Sequence, residues 1–363
     1  MMKIRLLPIA LLACALVLPA AGRADVSYSS TRTGDERATL SGLAAEGYNL
    51  SATSAAELEA RIAAQPDDYA NRAVLLGYYL VARFQDPQAK AARITHILWI
   101  IEHRPGMAVG PELEILVPID GAEGYALAKT RWLANVDARP DDVTILGNAA
   151  SFLLHQERDL ALGYLERARK LEPRSPEWPE RIGRAHLGTA RLADAKDKRF
   201  AEASLAFRNL EQATALIPEL DVKLLLYADL ADAAYLMARD DKAGEYASAL
   251  IAKTPATDWN WSNAAHDGNT VLGLVALREK KPKEAVACLI QSGDVKGSPQ
   301  LNSFGPRMEL AKALLEAGER DAVLDYLEEV GRFWKTGEKR LADWAALIKA
   351  GRTPEFKNLR LKP

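Results

Sequence analysis

Aromatic and polar side chains that can contact a ligand are concentrated in the stretch TPATDWNWSNAAHDGNTVLG, residues 254–273. Trp259 and Trp261 flank an asparagine there, and the polar residues that follow include His266, Asp267 and Asn269. Indole rings supply a broad apolar surface, whereas amides and carboxylates supply hydrogen bonds, and sites for sugars or extended peptides combine the two. The stretch is therefore the first candidate binding site.

A second candidate segment is SPQLNSFGPRM, residues 298–308, which carries Asn302, Phe304 and Arg307. If both segments occupy equivalent turns of stacked repeats, they lie side by side and form one binding surface.

Both segments also have a purely structural interpretation. Trp259 and Trp261 can plug a gap left by a long turn, while Asn263 or Asp267 caps the following helix. Residues 302–304 can set the start of the next helix. The exposure of the rings distinguishes a site from a plug.

No metal-binding or catalytic motif accompanies these segments. His96 and His103 share one predicted helix, but their spacing does not let both bind one ion without a third element. The sequence contains no His-Glu-x-x-His pair, no Gly-x-Ser-x-Gly elbow and no glycine-rich phosphate loop. We therefore predict no catalytic residues, no metal and no cofactor. The alternative is an enzyme with a pocket between Trp259 and Phe304.

The elements that must position these residues are helices. Alanine and leucine dominate the sequence, aromatic residues make up only 7%, and β-branched runs bounded by turns are almost absent. This composition favours helices over strands. The chain is thus predicted to be all-α.

A repeated pattern of small and large residues indicates how the helices pack. In LALGYLERARKLEP, residues 160–173, alanines occupy positions where larger side chains would bury more surface. Small residues are needed where two antiparallel helices cross closely. The pattern resembles the tetratricopeptide repeat (TPR), a helix-turn-helix unit of about 34 residues. The resemblance implies a right-handed α-solenoid with a concave face.

The pattern recurs at uneven intervals of 37 to 45 residues, so the repeats are degenerate. The central alanines, each predicted to be buried at a helix crossing, are Ala161, Ala206, Ala243, Ala285 and Ala322. We assign residues 53–351 to the solenoid, with a C-terminal capping helix within residues 338–351, and residues 352–363 to a tail.

Three segments are in addition similar to parts of a group of exported bacterial TPR-like proteins without an assigned activity. They are RITHILWIIEHRP, ILGNAASFLL and GSPQLNSFGPRMELAKALLEAGERDAVLDYLE. The similarity covers most of residues 53–350. It implies export and a repeat architecture, and it transfers no catalytic residue.

The N-terminus has the layout of a cleavable secretory signal peptide. A short basic start precedes the apolar run from 6 to 18, and small residues lead to cleavage after Ala24. Residues 1–24 are assigned to this leader and 25–52 to a polar N-terminal segment. Two alternatives are an uncleaved anchor, which is short for a span of about 20 residues, and a lipoprotein with Cys14 as its lipidated residue.

The charge and cysteine content restrict the partners and the location. The formal net charge is −2, and removal of the leader, which holds basic residues and no acid, makes it more negative. No block of Lys and Arg with interleaved aromatics occurs, so a nucleic-acid partner is disfavoured. Cys288 is the one cysteine left after cleavage, so no internal disulfide forms. We predict a periplasmic or secreted protein, bound to a membrane only if Cys14 carries lipid.

These observations predict a non-enzymatic TPR scaffold whose concave face binds a protein or peptide partner. The alternative is a glycan- or cell-wall-binding module that uses Trp259 and Trp261. Some TPR domains hold a C-terminal carboxylate with Lys and Asn at fixed first-helix positions, but here those positions include Asp232, Thr270 and Met308. Binding of a chaperone tail through such a clamp is therefore not expected.

Overall fold

The computed structural model describes residues 40–107, 110, 113 and 118–356. Within these residues every regular element is helical and no strand occurs, which confirms the all-α prediction. The described residues divide into two compact units, with the boundary between Arg174 and Ser175.

The first unit contains seven helices in its described part, and from the second helix onward each packs against the next one. Hydroxyl or carboxylate side chains at four helix starts accept hydrogen bonds from first-turn N–H groups, which satisfies donors that lack a helical partner. The helices are α1 (Leu40–Gly47), α2 (Ala52–Ala64), α3 (Tyr69–Ala82), α4 (Pro87–His103), α5 (Pro118–Ala138), α6 (Val143–Leu153) and α7 (Arg158–Leu171).

Helix α1 lies within residues 25–52, which the sequence assigned to a polar segment. A Cβ at Gly47 would lie 1.9 Å from the carbonyl oxygen of Val74, and one at Gly77 would lie 1.8 Å from that of Ala44. Only glycine permits such an approach of two backbones. Part of the predicted polar segment is thus a helix packed directly on α3.

The second unit contains ten α-helices in its described part. They are α8 (Glu177–Leu192), α9 (Lys196–Leu216), α10 (Leu220–Leu236), α11 (Asp240–Lys253), α12 (Trp261–Arg278), α13 (Pro282–Gly293), α14 (Pro299–Phe304), α15 (Glu309–Glu316), α16 (Arg320–Val330) and α17 (Glu338–Lys349). Helices α8, α10, α12 and α15, here called the first helices, contact one another in that order. Successive helical hairpins therefore stack through their first helices.

The central alanines are buried with one exception. Four of them have no exposed surface, as predicted: Ala161, Ala206, Ala243 and Ala285. The prediction for Ala322 is wrong, because this residue is half-buried. Helix α16 instead buries Val323, Tyr326, Leu327 and Val330, so its apolar face starts one residue later than predicted.

The helix predicted within residues 338–351 is present as α17, with Leu341, Trp344 and Ile348 as its buried face. The first residues of the predicted tail pack on this helix. Phe356 is buried, and its ring meets Trp344 edge-on with the centroids 4.9 Å apart.

The predicted leader, residues 1–24, lies outside the described residues, so cleavage and lipidation of Cys14 stay predictions. A single repeat array over residues 53–351 stays a prediction as well. None of the helices that the structure describes is long and apolar enough to cross a membrane.

Replacing Ala243 by leucine tests the close helix crossing in the second unit. Ala243 is fully buried, so the extra carbons overpack the crossing, and we expect the free energy of unfolding to fall by about 1–3 kcal/mol. Ala252→Leu is the matched control, because Ala252 is exposed on the same helix and the change should stay within about 0.5 kcal/mol. Chemical denaturation measures both values, and equal values would contradict the buried crossing.

Candidate binding surface

The turn that carries Trp259 connects α11 to α12. Oδ1 of Asp258 accepts a hydrogen bond from the backbone N–H of Asn260 at 2.7 Å, and the N–H of Trp261 donates to the Asp258 carbonyl oxygen at 3.1 Å. These bonds close the chain into a tight turn. Trp259 at its tip is 55% exposed, whereas Trp261 is half-buried at the start of α12.

Asn302 and Phe304 lie on the short helix α14, and not at the start of a following helix. Oγ of Ser298 accepts the N–H of Leu301 at 3.0 Å, and Gly305, with φ of 82°, ends the helix in a conformation that favours glycine. The helix leaves Phe304 57% exposed.

Asn263 joins the two segments. Its Nδ2 donates to Oδ1 of Asn260 at 2.8 Å and to Oε1 of Gln300 at 3.1 Å. Its Oδ1 accepts the hydroxyl of Ser298 at 2.6 Å. The segments therefore lie side by side, as predicted, and Asn263 cross-links them instead of capping α12.

The exposure of the rings separates a site from a plug. Trp259 and Phe304 are more than half exposed, so the plug interpretation is wrong for both. Trp261 is half-buried. The term aromatic edge is used below for Trp259 and Phe304 together with the neighbouring amides of Asn260, Gln300 and Asn302.

The other predicted site residues do not reach this edge. His266, Asp267, Asn269 and Arg307 are at most 8% exposed. Nδ2 of Asn269 donates to the carbonyl oxygen of Ala265 at 2.9 Å, within the same helix. These four residues belong to the interior of the second unit.

His266 is held in one neutral tautomer. Its Nδ1–H donates to the carbonyl oxygen of Ser292 at 2.8 Å, and its Nε2 accepts the backbone N–H of Arg307 at 2.9 Å. A carbonyl only accepts and an amide N–H only donates, so the partners determine the tautomer. Both ring nitrogens are occupied within the protein.

Arg307 is surrounded by acceptors. Its guanidinium lies 3.0 Å from Asp232, 3.3 Å from Glu309 and 3.5 Å from Asp267, and its carbonyl oxygen accepts the hydroxyl of Tyr326 at 3.0 Å. Burial disfavours the charged form of Arg307. The three carboxylates outweigh this effect and raise the pKa of Arg307 above its ordinary value.

The ion pairs continue as an alternating chain of charges. Asp232 on α10 also pairs with Arg191 on α8, whose Nη2 lies 3.0 Å from Oδ1 of Asp229. Oδ2 of Asp229 accepts Nε of Arg184 at 3.1 Å. The chain connects all four first helices, and Arg184 at its outer end is 37% exposed. We call these residues the buried charge chain: Arg184, Arg191, Asp229, Asp232, Asp267, Arg307 and Glu309.

The sequence predictions missed most of the buried charge chain. Asp229 and Asp232 stand in the largely apolar helix LLLYADLADAAYL, and carboxylates in such a helix indicate buried, paired charges. Their arginine partners are 38 to 75 residues away. The sequence spacing therefore did not predict which arginines pair with Asp229 and Asp232.

Among the residues that the structure describes, no group of three or more His, Cys, Asp or Glu side chains is arranged to hold a metal ion. A comparison of the chain with protein-family models and with curated proteins finds no match. The geometry of the aromatic edge and its surroundings is therefore the basis for a functional proposal.

Truncating Arg307 tests the buried charge chain. Arg307→Ala leaves Asp232, Asp267 and Glu309 buried near an empty space, and we expect a loss of about 3–5 kcal/mol in the free energy of unfolding. Arg332→Ala is the control, because Arg332 pairs at the surface and its loss should cost less than about 1 kcal/mol. Denaturant titration measures both, and similar small losses would show that Arg307 does not hold the unit together.

Proposed function

We propose that this chain is an exported, non-enzymatic helical-repeat protein, a right-handed TPR-like α-solenoid, that binds a protein or peptide partner through the aromatic edge. The observation that carries the proposal is the exposure of Trp259 and Phe304 on two segments cross-linked by Asn263. Large aromatic side chains held on rigid neighbouring segments are typical anchors of protein interfaces.

The ionisable residues among the predicted site residues support binding over catalysis. Both ring nitrogens of His266 are occupied, and Asp267 and Arg307 face each other in the interior. A general acid or base must reach a proton of the substrate, and these side chains lie away from the surface. The rings that do reach the surface have no acid–base chemistry.

The stacked hairpins and the buried alanines support the repeat architecture. In a TPR groove, however, a ligand contacts fixed positions of the first helices. Three of those positions, Asp232, Thr270 and Met308, are at most 1% exposed here. We therefore place the partner on the aromatic edge and not over these positions of the expected concave face.

The polar capacity of the edge indicates what kind of partner it binds. The side-chain oxygens of Asn260 and Gln300 already accept hydrogen bonds from Asn263, so two of the three amides of the edge are partly used and the exposed rings of Trp259 and Phe304 are its main contact groups. The turns before α12 and α14, residues 254–260 and 294–298, carry a small negative net charge. Their charged residues are Asp258, Asp294 and Lys296. We expect a partner segment with aromatic or aliphatic side chains and little net charge.

Glycan binding is the second candidate. The exposed ring of Trp259 and the exposed amide of Asn302 favour it, because a sugar can stack on an indole while an amide binds its hydroxyls. It ranks second because the side-chain oxygens of Asn260 and Gln300 already accept hydrogen bonds from Asn263, which leaves fewer acceptors for a ligand with many hydroxyls.

Selection of displayed random peptides on the full chain tests the main proposal. We expect the selected peptides to be rich in aromatic and aliphatic residues and low in charge. The double variant Trp259→Ala plus Phe304→Ala should weaken binding of the best synthetic peptide by at least about 30-fold, since an aromatic anchor contributes about 2 kcal/mol or more. Calorimetric titration measures the affinity.

Phe200→Ala is the matched control for this experiment, because Phe200 is 54% exposed on α9 and should not affect the peptide. All variants should melt within about 2 °C of the wild type, since exposed rings add little stability. Peptides that bind the double variant as tightly as the wild type would refute the proposal. Loss of muropeptide or oligosaccharide binding in the same variant would instead support the second candidate.

Expression of the full chain in a bacterium with its own leader tests export. We expect the mature chain to begin at Asp25, because small residues precede the predicted cleavage point. Mass spectrometry of the purified protein measures its N-terminus. A lipid-modified N-terminus at Cys14 would establish the lipoprotein alternative, and an intact cytoplasmic chain would contradict export.

A further inference from the structure

A second buried hydrogen-bond cluster lies in the first unit, where helices α2, α3 and α4 meet. It contains His96, which is 3% exposed, and Arg72, which is 7% exposed. Nη1 of Arg72 lies 3.2 Å from Nδ1 of His96, and Nε2 of His96 lies 2.9 Å from Oε1 of Glu59. The hydroxyl of Tyr79 donates to the same Oε1 at 2.7 Å. One imidazole thus connects an arginine to a glutamate.

The cluster determines the tautomer of His96. A guanidinium only donates, so Nδ1 of His96 must be the unprotonated, accepting nitrogen. The proton is then on Nε2 and is donated to Glu59. The arrangement requires a neutral imidazole, because a proton added to Nδ1 would point at the N–H of Arg72.

Arg72 also holds the turn between α2 and α3. Its Nε and Nη2 donate to the carbonyl oxygen of Pro66 at 3.1 and 2.8 Å. Its guanidinium lies over the ring of Trp99 on α4, 4.4 Å from the centroid. Arg72 therefore connects this turn to α4 through Trp99 and His96.

Protonation of His96 has opposite effects on its two partners. It strengthens the contact with Glu59, whose side chain is 37% exposed and partly screened by solvent. It abolishes the hydrogen bond from Arg72 and places two positive charges in direct contact inside the protein. Burial lowers the pKa of His96 below its ordinary 6.5, Arg72 adds to this effect, and Glu59 only partly offsets it.

Other charged groups lie on the elements packed around this region. Asp67 and Asp68 lie on the turn itself and stabilise the charge of Arg72, and Arg93 lies buried on α4. On α5, which also packs against α4, Lys129 and Arg131 pair with other residues, Glu157 and Glu102. A proton added to Nδ1 of His96 therefore lies directly against the positive charge of Arg72.

We propose that the Arg72–His96 hydrogen bond is an acid-sensitive latch that holds the α2–α3 turn against α4 and opens when His96 is protonated. The opened form keeps the Glu59–His96 contact and frees Arg72 and the turn at Pro66. This device lies in the first unit and does not depend on ligand binding at the aromatic edge.

The direction of the pH response follows from linkage. The pKa of His96 is below 6.5 in the closed form, so the opened form binds the proton first as the pH falls. The latch is closed above pH 6.5 and weakens below it. Burial raises the pKa of Glu59, but hydrogen bonds from Tyr79 and His96 and the charge of Arg72 outweigh this effect and keep that pKa below 4.5. Protonation of Glu59 is therefore a separate step at lower pH.

Hydrogen exchange of the full chain between pH 7.5 and 5.5, normalised for intrinsic chemistry, tests the latch. We expect residues 62–72 to exchange faster at the lower pH, by up to about tenfold for each unit that separates the closed and opened pKa values of His96. His96→Gln should remove this response. His155→Gln, at an exposed histidine of the same unit, should retain it.

Two further measurements keep the proposal testable if His96→Gln folds poorly. Imidazole ¹⁵N shifts of the wild type should show an unprotonated Nδ1 at pH 7.5 and a His96 pKa below 6.5. Arg72→Gln should raise that pKa, because the opposing positive charge is gone. A His96 pKa at or above 6.5, or an exchange response that persists in His96→Gln, would overturn the latch.

Discussion

Asp232 has no exposed surface and pairs with Arg191 on one side and Arg307 on the other. These partners are 41 and 75 residues away in the sequence, so one carboxylate restricts how three stretches of the second unit pack. An apolar residue of similar volume can be equally stabilising at such a position. Charge adds specificity, because a shifted helix leaves a buried ion unpaired. We infer that the buried charge chain determines the register of the stacked first helices.

The same residues anchor one of the two segments of the aromatic edge. Arg307 is anchored by its main chain as well, through His266 and Tyr326, and it follows Phe304 by three residues. The core therefore fixes the base of the segment that presents this ring. Around this segment His266, Asp267 and Arg307 lie inside, whereas Trp259 and Phe304 remain exposed. A surface held in this way loses little conformational entropy on binding, which favours affinity.

Local patterns in the sequence were sufficient to predict the helices and the burial of four alanines at helix crossings, because both depend on residues within one hairpin. The prediction that Ala322 is buried failed because the apolar face of α16 starts one residue later, and a helix turns about 100° per residue. The same rotation explains why His266 does not share the surface of Trp261, five positions earlier on α12. The exposure of Trp259 depends on the fold of its turn, and the partners of Asp232 come from distant helices, so neither followed from local spacing.

His96 and His266 share one hydrogen-bonding pattern, in which one ring nitrogen accepts an arginine N–H and the other donates to an oxygen. For His266 the donor is the backbone N–H of Arg307, whose carbonyl and side chain are also held, so this donor cannot move without opening the core. For His96 the donor is the side chain of Arg72, and the acceptor Glu59 is partly exposed. A donor on a movable side chain can turn away when the imidazole gains a proton. The same pattern is therefore a permanent link in the second unit and a pH-dependent one in the first.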